Sequence, residues 1–161
     1  MDAKVPTTGV VSAETLLSYD GLSFLRALLD GSLPPPPITD TLGFRLSLVE
    51  PGRVIFEGEP QLRHYNPIGT VHGGFAMALL DSALGCAVHS MLKKGETYTT
   101  LEIKVNLVRP LTKDTGLIAA EGRILHRGRT VGTAEGDIKD RSGKIYAHAT
   151  TTCMIFPAKG S

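Results

Sequence analysis

Between Gly73 and Leu92 the sequence reads GGFAMALLDSALGCAVHSML, and Phe75 to Leu80, Ala83, Leu84, Ala87 and Val88 leave it hardly any polar face. A helix that is apolar on nearly every side is stable in water only when the rest of the chain wraps around it. A bilayer would be the other wrapping, but the apolar run Phe75–Leu92 contains Asp81, Ser82 and His89. It is also shorter than the roughly 20 residues that a spanning helix needs. The segment is therefore predicted to be a buried helix in a water-facing domain. The 161 residues suit one domain with one sizeable core.

The wrapping is legible as strands. From Thr41 the period becomes two: Leu42, Phe44, Leu46 and Leu48 alternate with Gly43, Arg45 and Ser47, Pro51-Gly52 offers a turn, and Val54 and Phe56 begin the return. After the helix, Leu101, Ile103, Val105 and Leu107 alternate with polar residues. Further alternating runs at 116–127 and 129–140 are joined by His126-Arg127-Gly128-Arg129, and a last strand at 144–156 follows Ser142-Gly143. Gly132, Ala134 and Gly136 share one strand face, where small residues let a helix come close. The predicted fold class is α+β, a curled antiparallel sheet around one long central helix.

Residues 1–39 read as an N-terminal extension and 40–157 as the principal domain. Residues 1–19 are weakly patterned and expected to form a loose or partly ordered tail. Asp20 looks like the N-cap of a helix running to Asp30, with Leu22, Leu25, Leu28 and Leu29 on its apolar side and Gly31 as its stop. Pro34-Pro35-Pro36-Pro37 should then run as a stiff extended connector, a spacer or a proline-rich ligand.

The 17 Lys and Arg balance 16 Asp and Glu, so no basic field draws nucleic acid or an anionic membrane; a small molecule is the expected partner. Cys86 and Cys153 sit in apolar runs and read as buried thiols, which suggests a reducing cytoplasm. No apolar segment with a cleavage site marks a secretory signal near the N-terminus. His64 and His72 lack the Cys or His neighbours of a zinc site, so no metal is expected. Neither a nucleotide-hydrolase phosphate loop nor a G-x-S-x-G elbow occurs.

The chemistry concentrates in His64-Tyr65-Asn66-Pro67-Ile68-Gly69-Thr70-Val71-His72-Gly73-Gly74, which leads into the N-terminus of the buried helix. Free backbone N–H groups and the positive end of the helix dipole there could stabilise a carbonyl oxygen gaining negative charge, with Gly73 the natural donor. The same residues also read as a glycine-rich helix start with no ligand. Asp81 is the sole acid in this helix; it could be kept for a task or simply face hydrogen-bond donors on a neighbouring strand. Gly73 and Asp81 lie eight positions apart, about 12 Å along a helix axis at roughly 1.5 Å per residue, so one carbonyl can hardly touch both. If both act on one acyl group, Asp81 must come from a second subunit whose helix runs antiparallel alongside.

Asn66, a short loop, His72-Gly73-Gly74 and then the helix bearing Asp81 resemble the motif of the hot-dog-fold acyl-CoA thioesterases of the phenylacetate-degradation type, and the strand pattern matches over about residues 40–156. The resemblance implies hydrolysis of acyl-CoA thioesters, coenzyme A being part of the substrate and no cofactor being needed. It implies a homodimer or homotetramer with shared active sites. By the same resemblance Asp81 would be general base or nucleophile, Gly73 the oxyanion donor, and Asn66 would hold the attacking water or the thioester. Thr100 would contact the carboxylate, and His72 would shape the loop. His72, Gly74 and Tyr65 are expected around the substrate. Arg127 and Arg129, with Arg109 and Lys104, are candidates for the CoA phosphates or plain surface charges. A hydratase or dehydratase on the same fold, and a non-catalytic acyl-CoA binder, are the competing readings.

Overall fold

The computed structural model describes residues 7–158. Helices α1 (Ala13–Ser18), α2 (Gly21–Leu29) and α3 (Pro37–Leu42) precede the hairpin β1 (Phe44–Glu50) and β2 (Arg53–Gly58). The long helix α4 (Gly73–His89) follows, then β3 (Glu96–Leu107), β4 (Ile118–Arg127), β5 (Val131–Asp140) and β6 (Ile145–Pro157). The six strands form one antiparallel sheet in the order β1-β2-β4-β5-β6-β3, which leaves β3 at an edge. The sheet curls around α4, as the apolar composition of that helix demands: Leu79, Leu80, Ala83, Leu84, Ala87 and Val88 are fully buried.

Three glycines set how closely helix and sheet approach. A Cβ at Gly122 would stand 2.2 Å from the Ala83 carbonyl oxygen, one at Gly132 2.7 Å from a Val88 methyl, and one at Gly136 2.6 Å from a Leu84 methyl. The face read from Gly132, Ala134 and Gly136 is therefore the one that receives α4. Gly122, on the neighbouring strand, completes it.

The described part of the N-terminal tail is partly ordered. Ser12 caps α1 by accepting the Thr15 N–H at 3.2 Å, so residues 13–18 are helical; residues 1–6 of the expected tail lie outside the described residues. Asp20 caps α2 through the Ser23 N–H at 2.8 Å, as expected. The proline run is extended only to Pro36. Pro37 opens α3, because its fixed φ and missing N–H suit a first helical position. Leu42 is consequently helical, Gly43 ends α3 with a φ of 68°, and the alternation starts at Phe44.

Helix α2 lies against the C-terminal part of α4, where Phe24 stacks on His89 with ring centroids 5.3 Å apart. Only one stripe of α4 stays uncovered. Met77 is 43% exposed, Asp81 one turn further is exposed too, and Gly73 and Gly74 at the start are half-buried. Among the described residues no helix is long and apolar enough to cross a membrane.

Candidate active site

The loop before α4 is held by its own side chains. Asn66 Oδ1 accepts the N–H groups of Ile68 (3.1 Å) and Thr70 (3.3 Å), while its Nδ2 donates to Thr70 Oγ1 at 3.0 Å. Asn66 thus fixes the loop's shape, an Asx-type turn that Gly69 closes with a φ of 86°. Tyr65 turns its phenol oxygen to the Lys113 N–H at 2.9 Å, tying the loop to the short turn Lys113–Thr115.

His64 anchors the other end. Its carbonyl accepts the His72 N–H at 2.7 Å, its Nδ1 accepts the Gln61 N–H at 3.0 Å, and its ring stacks on Phe75 with centroids 4.2 Å apart. Burial lowers its pKa, which favours the neutral ring that this acceptor role requires. The sequence offers no signal for this clamp beyond a histidine near the loop.

At the helix start, His72 is the N-cap, its Nδ1 accepting the Gly74 N–H at 2.9 Å. That consumes the Gly74 donor. The Gly73 N–H has no partner among the described residues and is one of the orphan donors every helix N-terminus carries. A cavity of about 250 Å³ opens beside it, with Asn66, Thr70, His72, Gly73, Leu107 and Arg109 in its wall. A Cβ at Gly73 would stand 2.7 Å from a Leu107 methyl, so the side chain of β3 closes one flank.

Asp81 is not in that wall. It lies two turns along α4, where Thr100 Oγ1 on β3 donates to its Oδ1 at 3.0 Å. Thr100 sits at a bulge in the pairing of β3 with β6, between Thr100 and Glu102. Within one chain, then, Asn66, His72, Gly73 and Gly74 come together, Asp81 pairs with Thr100, and the two groups stay apart as the helix spacing requires.

The expected phosphate ligands are placed differently from one another. Arg127 is ion-paired with Glu96 and also donates to the Gly128 carbonyl, so its guanidinium is engaged. Arg129 is exposed, as is Lys104 on the edge strand. Arg109 borders the Gly73 cavity and donates to the Ile145 carbonyl at 2.5 Å. Both cysteines are free thiols, and burial pushes that of Cys86 up to about 12.

With this arrangement in view, residues 68–147 match the Thioesterase superfamily. A candidate thioesterase of Ralstonia eutropha, related to phenylacetic acid degradation, is 31% identical with a TM-score of 0.74 over 81% of this chain and 98% of its own. The 1,4-dihydroxy-2-naphthoyl-CoA hydrolase of Listeria monocytogenes is 25% identical over 73% of this chain and 94% of its own. A Streptococcus mutans protein solved with acetyl-CoA bound is 25% identical, with a TM-score of 0.65 over 73% of this chain and 91% of its own. The curled six-stranded sheet around one helix is the hot-dog fold expected from the loop motif, and the chain is a thioester hydrolase. It belongs to the thioesterase superfamily.

Proposed function

We propose that the protein hydrolyses acyl-CoA thioesters at sites shared between two subunits, with Asp81 of one facing Gly73 of the partner subunit. The observation that carries this reading is the Thr100–Asp81 hydrogen bond on the uncovered stripe of α4. An exposed carboxylate held by a neighbouring strand's hydroxyl is oriented and reachable, yet it lies about 12 Å along the axis from the free N–H of its own helix. A second α4 packed antiparallel on that stripe brings the two together twice, by symmetry.

In this scheme Asp81 takes a proton from water, which attacks the thioester carbonyl, or Asp81 attacks the carbonyl itself and water then hydrolyses the acyl–Asp81 anhydride left after the thiolate departs. Negative charge gathers on the carbonyl oxygen against the Gly73 N–H and the positive end of α4. The C–S bond then breaks, and CoA leaves as a thiolate that needs no strong acid. Asn66 and His72 keep the loop open to the substrate, and Thr100 keeps the carboxylate aimed. Of the basic residues, Arg109 is best placed to meet CoA phosphates; Arg129 and Lys104 are free to, and Arg127 would first have to leave Glu96. The assembly is a homodimer or a homotetramer, no cofactor takes part, and the two free thiols fit a reducing cytoplasm.

The test is thiol release from phenylacetyl-, benzoyl-, short-chain and long-chain acyl-CoA by the native protein and by Asp81→Asn. Release that collapses in the variant supports the reading. Binding without release in the native protein replaces it with an acyl-CoA binder.

A further inference from the structure

A chamber of about 810 Å³ lies between α2, the β1–β2 hairpin and α4, and shares no lining residue with the Gly73 loop's own cavity. Its apolar lining is Leu25 and Leu28 of α2, Leu46, Phe56, Leu117 and Cys86. Of its charged residues, Asp30, Asp40, Arg45, Glu59 and Arg63 are exposed and form the rim, while Glu57 is half-buried and paired with Arg45 at 2.8 Å. Apart from Cys86 and Leu117, its lining, from the N-terminal extension and the β1–β2 hairpin onward to Arg63, lies outside the residues matched to the superfamily.

Helix α4 connects this chamber to the carboxylate. Cys86 follows Asp81 by five residues, about 7.5 Å along the axis, and Ser82 lies between them on the Cys86 face. Ser82 and Cys86 are both half-buried and lie one turn apart on that face, and Asp81 beside them is exposed. Ser82 Oγ donates to the Ala78 carbonyl at 2.9 Å and has no donor left to demand a polar ligand. Burial pushes the Cys86 thiol up, as an apolar surrounding does.

We propose that this chamber is the acyl-chain site, and that the substrates are medium- to long-chain aliphatic acyl-CoAs. The proposal rests on the acyl-CoA hydrolase reading above. A carbonyl placed at Asp81 leaves a short acyl group or a single ring beside Ser82; only a longer chain passes Cys86 and reaches the rest of the apolar lining. Burial of successive methylenes there supplies selectivity that grows with chain length.

Two experiments on the 161-residue chain test it. The chain has no tryptophan, so Leu28→Trp, made in the Asp81→Asn background, places a single emitter in the chamber wall. Dodecanoyl-CoA should shift its emission saturably and butyryl-CoA should not. No response to dodecanoyl-CoA, or an equal response to both, overturns the proposal. Leu46→Trp crowds the apolar lining in the otherwise native enzyme and should lower the ratio of kcat/KM for dodecanoyl-CoA to that for butyryl-CoA by about tenfold or more. An unchanged ratio in a folded variant overturns it as well. If that variant fails to fold, the emission experiment decides alone. Hydrolysis of butyryl-CoA by the native protein reports on the hydrolase reading separately, because that substrate does not reach the chamber.

Discussion

Thr100 and Asp81 are joined across 3.0 Å, the hydroxyl of an edge strand donating to the one carboxylate of an otherwise apolar helix. Asp81 is exposed, so the hydrogen bond orients the group rather than rescuing it from burial. Thr100→Ala should fold normally and lower kcat by roughly ten- to a hundredfold, the range expected from losing a hydrogen bond to a charged group. Thr100→Ser should recover most of the loss. Steady-state kinetics on both variants checks this; full activity in Thr100→Ala would leave the carboxylate without need of its neighbour.

Close packing gives a stability expectation. At Gly122 a Cβ would meet the Ala83 backbone carbonyl at 2.2 Å, and backbone cannot swing aside as a flexible side chain can. Gly122→Ala should destabilise the fold by about 3 kcal/mol through overpacking. Gly69→Ala meets open space and costs only the left-handed backbone, about 1 to 2 kcal/mol. Denaturant unfolding of the pair ranks them.

His89 gives the stability a pH dependence. Burial between Phe24 and Tyr98 lowers its pKa from 6.5 to about 4. A histidine whose pKa is lower in the folded state binds protons better unfolded. Its contribution is therefore fully present above pH 6.5 and is lost as pH falls from there towards 4, up to about 3 kcal/mol. His64, also lowered, adds in the same direction. Unfolding free energies between pH 7 and 4 should fall less steeply in His89→Leu than in the native protein.

How far the sequence led differs by feature. The central helix, its lone acid and the small-residue face of β5 were legible because each is a local pattern with one physical solution. The start of α3 was not, since four prolines look alike and only the last occupies a first helical turn. Bulges between Leu46 and Leu48 and between Thr100 and Glu102 shift the strand period that alternation relies on. Met77 reads as one more core residue; only the fold shows that it lies on the open stripe beside Asp81. The partner of Arg127 is 31 residues away at Glu96, beyond any local signal, and the chamber under α2 is likewise assembled from distant segments.

The shared site is tested most directly by complementation. Asp81→Asn and Asn66→Ala damage opposite halves of the proposed site, so a mixed dimer holds one site with both halves intact. Each variant alone should be nearly inactive on acyl-CoA, and subunit exchange between them should restore up to about a quarter to a half of native activity, depending on how completely the subunits mix. A mixture that stays inactive, although mass spectrometry shows that subunits have exchanged, would contradict a site built from two chains.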